Sequence, residues 1–96
     1  MFYESKVKSL AVDELFKAIL ALETEDDCYR FFDDICTINE IHAISQRLQV
    51  AKLLNEHKTY NEIEDITKAS TATISRVNKC LVYGADGYKR VLERLK

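Results

Sequence analysis

The sequence has 96 residues, of which 47% are hydrophobic and 31% charged, with no proline, two glycines and a formal net charge of −2. These values predict a single small domain over residues 1–96 with an all-helical, globular fold, and they exclude a disordered or fibrous chain. No apolar run approaches the roughly 18 residues that cross a membrane, and the N-terminal segment lacks a signal-peptide core, so we expect a cytoplasmic protein outside the membrane.

Two helices are predicted at the N-terminal end, over residues 5–21 and 24–35, the second capped by Thr24. The first carries apolar residues around most of its circumference: Leu10, Val12, Leu15, Phe16, Ile19, Leu20 and Leu22. A terminal helix of this kind must be buried on two sides, and in so small a chain a partner subunit most easily covers the second side. We therefore expect residues 1–36 to be the dimerisation helices of a homodimer.

A long helix is predicted over residues 37–57, because Thr37 and Glu40 have the spacing of a capping box. Its apolar residues keep helical spacing at Ile41, Ile44, Leu48, Ala51 and Leu54. Ser45 and Gln46 are a candidate break, although no glycine or proline accompanies them. A final helix is expected to start at Asp86 or Gly87 and to contain Tyr88, Val91, Leu92 and Leu95.

Residues 59–82 have the layout of a helix-turn-helix. A second capping box, Thr59 to Glu62, opens a helix over about 60–67, and Ser70 caps another over about 71–82. The turn between them has only three or four residues, as in DNA-binding units of this type. Five positions are expected to hold the two helices at a fixed crossing: Ile63, Thr67, Ala69, Ile74 and Val77.

The outer face of the second helix predicts an interface for double-stranded DNA. The apolar stripe of this helix is formed by Ile74, Val77 and Leu81. When it faces inward, a helical wheel places four residues together on the outer face: Ala72, Ser75, Arg76 and Lys79. Small residues let a helix enter the major groove, and the cations reach guanine edges or phosphates. Ser70, Thr71 and Thr73 lie at the amino end, where hydroxyls and free N–H groups suit phosphate oxygens, and Lys68 lies in the turn.

The distribution of charge supports the same region. Residues 1–67 hold 7 Lys and Arg against 14 Asp and Glu, a net charge of −7, whereas residues 68–96 hold 7 against 2, a net charge of +5. The basic last third of the chain, residues 68–96, therefore suggests a surface that binds a polyanion, while the acidic remainder repels one. The simpler alternative is a helical hairpin with a solvated polar face, so a helical protein-interaction module that keeps the helix-turn-helix as scaffold remains the second functional hypothesis.

Enzymatic and metal sites have little support. No nucleophile is paired with a base, and no glycine-rich phosphate loop is present, so we expect no enzyme. Cys28, Cys36 and Cys80 are odd in number and form no C-x-x-C pair, which predicts reduced and mostly buried thiols. Because His42 and His57 share no ligand spacing with them, we expect no metal site.

The segment TATISRVNKCL resembles the recognition segment of the bacterial tryptophan repressor family. Upstream, CTINEIHAISQRLQVAKLL is similar to the same family in its Thr-then-acidic helix start, the arginine ten residues later and the Leu-Leu pair. The resemblance covers about residues 36–95 and is closest to the short Trp-repressor-like proteins of the YerC/YecD type. It implies an intertwined, all-helical homodimer, with about six helices in each chain, that binds palindromic operators as a repressor.

The resemblance also implies a small-molecule co-effector pocket. The family's ligand-shaping threonine and two arginines fall on Thr37, Arg47 and Arg76. The chain departs from the family in having Val77 where a glycine follows the second arginine, Cys80 where the family has serine, and Lys68 at a turn position that favours glycine. We therefore expect tryptophan not to be the ligand, and DNA binding to be ligand-independent or to respond to a smaller molecule.

Overall fold

A computed structural model of the protein describes residues 3–96, and within that range all regular structure is helical. The six helices are α1 (Leu10–Leu20), α2 (Glu25–Ile35), α3 (Ile38–Asn55), α4 (Tyr60–Thr67), α5 (Thr71–Tyr83) and α6 (Gly87–Arg94). The predicted all-α class and the predicted number of helices are both confirmed.

The first helix is shorter than predicted, because it starts at Leu10 and not at residue 5. Ser9 has extended backbone angles and its hydroxyl accepts a hydrogen bond from the Val12 amide at 3.1 Å, which is the geometry of a helix cap. Before it, the Val7 amide donates to Ser5 Oγ at 3.2 Å within a turn. The polar residues Ser5 and Ser9 thus bond locally to the backbone and keep this segment out of the helix.

The third helix is continuous over 18 residues, so the break considered at Ser45 and Gln46 is wrong. Neither residue is a glycine or a proline, and the i to i−4 ladder passes through both without interruption. The helix ends at Asn55, and two residues later His57 is left-handed, with φ 64°; the His57 amide donates to the Leu54 carbonyl at 3.0 Å and the Lys58 amide to the Leu53 carbonyl at 3.1 Å. This is the hydrogen-bond pattern of a left-handed C-terminal cap.

The described chain forms two compact units, residues up to 37 and residues 38–96. In the first unit, neither α1 nor α2 contains a buried residue, and Leu10 and Leu20 are each 84% exposed. Phe31 and Phe32 pack edge to face, with ring centroids 5.5 Å apart. The expectation of mostly buried thiols is wrong for the single chain: all three are free, Cys28 and Cys80 are exposed, and Cys36 is half-buried.

The second unit contains a small core to which α3, α4, α5, α6 and the α4–α5 turn contribute. Its buried apolar residues are Val50, Ala51, Ile63, Ala69, Ile74, Val77 and Leu92. Helical spacing alone does not bury a residue here: Ile44 on α3 is 50% exposed and Ile66 on α4 is 53% exposed. On α3, apolar residues occupy more than one side, and the side that contains Val50 faces the core while the side that contains Ile44 does not.

Candidate nucleic-acid interface

The α4–α5 pair is a helix-turn-helix with a three-residue turn, residues 68–70. Lys68 ends α4 in the left-handed conformation, with φ 62° and ψ 15°, and its amide donates to the Glu64 carbonyl at 2.8 Å. Ser70 then caps α5, because its hydroxyl accepts from the Thr73 amide at 3.1 Å. The positive φ at Lys68 is the conformation that this turn requires, and it explains why a glycine is favoured there.

Buried side chains between α4 and α5 hold the two helices together. All five predicted positions are buried, and Ile63 and Ile74 have no exposed surface. Thr67 is 8% exposed and satisfies its hydroxyl locally: Oγ1 donates to the Ile63 carbonyl at 2.7 Å and accepts from the Ala69 amide at 3.1 Å. The Thr67 carbonyl accepts from Gln46 Nε2 at 3.1 Å, which ties the end of α4 to α3.

The outer face of α5 is small and polar at its amino-terminal end and cationic further along. The candidate DNA-contacting residues are exposed, with the exception of half-buried Thr73: Lys68, Ser70, Thr71, Ala72, Ser75, Arg76 and Lys79. In the part of the chain that the structure describes, none of the ion pairs involves Lys68, Arg76 or Lys79. Their charges are therefore available to an external anion.

Two hydroxyls at the amino end of α5 already donate within the protein. Ser70 Oγ donates to Thr73 Oγ1 at 3.1 Å, and Thr71 Oγ1 donates to Glu64 Oε1. A hydroxyl has one hydrogen, so each must turn away from its present acceptor before it can donate to a phosphate. The exposed cations need no such rearrangement.

Of the three candidate ligand residues, one lines a groove in the second unit. A groove of about 580 Å³ lies between α3, α5 and α6, and its lining residues are Ile44, Arg47, Leu48, Cys80, Ala85, Gly87, Tyr88 and Val91. Arg47 is the cation on its wall, whereas Arg76 lies on the exposed outer face of α5. Thr37 belongs to the first unit and is exposed. Val77 is buried in the core and does not line the groove.

Neither a metal-binding cluster nor a membrane-spanning helix is found within residues 3–96. No cluster of His, Cys, Asp and Glu in that range has the arrangement to hold a metal ion. Within the same residues, no helix has both the length and the apolar character needed to span a membrane.

Sequence reasoning did not find two residues at this interface, Gln46 and Glu64. The sequence around Gln46 indicates only a candidate helix break, although a half-buried amide on a continuous helix needs a hydrogen-bond partner. Glu64 lies seven positions before Thr71, and no local spacing rule connects residues across a turn of this kind. The signal in the sequence is that Gln46 and Glu64 are polar residues next to the apolar stripes of α3 and α4, where a side chain is half-buried and needs a partner.

The chain is similar to known proteins both in sequence and in fold. Residues 10–96 match the family model described as Trp repressor protein. The uncharacterized protein YerC of Bacillus subtilis (strain 168) is 55% identical over 91 residues, which cover 95% of this chain and 88% of that protein. The crystal structure of a TrpR-like protein from Eubacterium eligens has a TM-score of 0.91 and 61% identity, covering 94% of this chain and 93% of that one. A Trp repressor candidate from Staphylococcus aureus has a TM-score of 0.90 and 54% identity, covering 94% and 90% of the two chains.

Proposed function

The chain belongs to the Trp repressor protein family, and from that premise we propose that it is a sequence-specific regulator of transcription, a repressor that binds double-stranded DNA. In this proposal the protein acts in the cytoplasm as a homodimer. Its α5 helix enters the major groove, and its operator is a palindrome with one half-site for each subunit.

The observation that carries the proposal is the contrast between the two sides of α5. Ile74 and Val77 are buried at 0% and 2% exposure, and between and beside them Ala72, Ser75 and Arg76 are all exposed. A helix held rigidly by one side can present the other to base edges without losing its own packing. Alanine and serine leave room for the approach, and Arg76 can donate two hydrogen bonds to a guanine.

The homodimer follows from apolar surface that one chain leaves uncovered. Leu10, Leu20 and Tyr83 are more than 80% exposed, and Ile38 and Leu95 are near 70%. Burial of large apolar side chains at an interface is favourable, and extensive exposed apolar surface marks interaction sites on soluble proteins. A second copy would cover them and would place two α5 helices on one duplex.

A small co-effector other than tryptophan remains part of the proposal. Arg47 is the charged group on an otherwise largely apolar groove, which suits a small anion with an apolar body. Such a molecule would change DNA affinity only through its different affinities for the DNA-competent and DNA-incompetent states. The proposal does not require it, since the outer face of α5 is exposed without any ligand.

Selection of bound sequences from a random duplex library tests the proposed function. We expect enrichment of a palindromic sequence whose half-sites are about 10 base pairs apart, because two major-groove helices of a dimer meet the same face of DNA at that spacing. Enrichment of no sequence, together with no binding to duplex DNA at low salt, would contradict the proposal. That outcome would favour the helical protein-interaction module.

A further inference from the structure

Glu64 and Thr71 connect α4 to α5 across the turn. Thr71 Oγ1 donates its only hydrogen to Glu64 Oε1, although the residues are seven positions apart. Glu64 is half-buried beside the buried stripe of α4, and Thr71 is exposed in the first turn of α5. The carboxylate is therefore held at the amino end of the helix that the proposed function places in the major groove.

Glu64 is one of three acidic residues of α4, and its carboxylate accepts a hydrogen bond from the first turn of α5. Residues 66–85 include Lys68, Arg76 and Lys79 and contain no aspartate or glutamate. A carboxylate near the amino end of α5 is stabilised by the helix dipole, which accounts for its tolerance in the unbound protein. Against a phosphate, however, the same carboxylate is repulsive, so it does not add to non-specific affinity.

The chemistry of a carboxylate limits what it can contact in the major groove. An ionised carboxylate only accepts hydrogen bonds, and Thr71 occupies one of its roughly four acceptor directions. In the major groove, cytosine N4 and adenine N6 are donors, whereas guanine O6 and N7 and thymine O4 are acceptors. A fixed carboxylate therefore attracts cytosine or adenine and repels guanine or thymine at the same place.

We propose that Glu64, oriented by Thr71, is a specificity-determining residue that selects cytosine or adenine at one position of each operator half-site. This inference rests on the proposed function, since it needs α5 in the major groove. It assigns to α4 a part in base selection that the outward face of α5 alone does not supply.

Parallel selections from a random duplex library test this role with two variants and one control. Glu64→Gln keeps an oxygen that accepts from Thr71 but adds an N–H donor, so the preference for cytosine or adenine should fall by about fivefold or more. Its affinity for unrelated duplex DNA should rise, because a negative charge is removed. Thr71→Val should weaken the same preference without raising that affinity, since it frees the carboxylate and keeps its charge.

Asp65→Asn is the matched control, because it removes the same charge from an exposed neighbouring residue on α4. It should leave the base preference at every position unchanged. Identical selected sequences and equal discrimination for the Glu64→Gln variant and the unsubstituted protein would overturn the role of Glu64 alone. Failure of the unsubstituted protein to enrich any sequence would instead overturn the proposed function, and this role with it.

Discussion

Arg76 and Val77 are adjacent on α5 and have opposite environments. Val77 is 2% exposed within the core, whereas Arg76 is exposed and takes part in none of the ion pairs formed among the described residues. Substituting Val77 changes the packing of the core, whereas substituting Arg76 changes only what the surface of α5 can bind. This separation allows binding and stability to be tested independently at neighbouring positions.

Arg76→Ala and Lys79→Ala should weaken DNA binding without lowering the melting temperature, because both side chains are exposed. Loss of a base contact should cost about 1–3 kcal/mol of binding free energy, while loss of a phosphate contact should also reduce the salt slope by about 1. Anisotropy titrations on the selected duplex measure both quantities. Lys89→Ala, another exposed cation in the basic third, is the control and should have a smaller effect. Parent-like affinity in both variants would show that the recognition helix is misassigned.

Val77 also sets an expectation for tryptophan. Its side chain is packed in the core and does not line the groove, so an indole forced beside it would cost roughly 1–3 kcal/mol of overpacking, and the residues that line the groove include no carboxylate to pair with the ammonium group of a free amino acid. Calorimetric titration with tryptophan should therefore show no saturable binding. Saturable binding accompanied by tighter operator affinity would contradict this expectation and identify a tryptophan-responsive repressor.

At the scale of elements, the α5–α6 connection contains two glycines with different surroundings. A Cβ added at Gly84 would lie 2.3 Å from the Cys80 carbonyl oxygen, whereas one added at Gly87 would meet no heavy atom within 4 Å. The first contact is with backbone of the preceding turn of α5, which cannot move without unwinding the helix. The end of α5 therefore requires a residue without a Cβ at position 84, whereas the start of α6 does not require one at position 87.

Gly84→Ala should destabilise the fold by about 1–3 kcal/mol, since the added methyl group overpacks against backbone. Gly87→Ala is its matched control and should be neutral or stabilising by up to about 1 kcal/mol, because alanine is the better helix former. Urea unfolding of both variants measures the difference. Equal stabilities would show that the end of α5 rearranges freely.

The elements show where sequence pattern succeeds and where it stops. Capping residues such as Thr24, Thr59 and Ser70 act within three residues, so the starts of α2, α4 and α5 were predicted to within one residue. Ser9 is an equally good cap, but the predicted helix starts four residues before it, at residue 5. On α3 the apolar residues occupy several sides, so spacing could not separate the side of Val50, which packs in the core, from that of Ile44. The Gln46 and Glu64 contacts depend on tertiary placement.

At the scale of the whole molecule, apolar surface is exposed on both compact units. Within the described chain the buried apolar residues all belong to residues 38–96, and the first unit has none. A unit without a buried residue needs a surface to pack against, since isolated short helices are marginal in water. We therefore expect the folded protein to depend on association.

Light scattering at micromolar concentration should report about twice the chain mass of 11.1 kDa. The melting temperature should rise with protein concentration, because association stabilises only the folded chains. Leu20→Glu, which places a charge on an 84% exposed apolar position of α1, should lower the measured mass or unfold the protein. A stable monomer of the unsubstituted protein would exclude the proposed dimer.

The salt dependence of binding tests the central claim, that the α4–α5 unit binds DNA by sequence, most directly. Anisotropy titrations should compare the selected duplex with a scrambled duplex of equal length between 50 and 200 mM salt. We expect affinity for both to fall by about 10³-fold or more over that range if six or more phosphates are contacted, with the selected duplex bound more tightly throughout. No binding at 50 mM salt, or equal affinity for the two duplexes at every salt concentration, would contradict the claim.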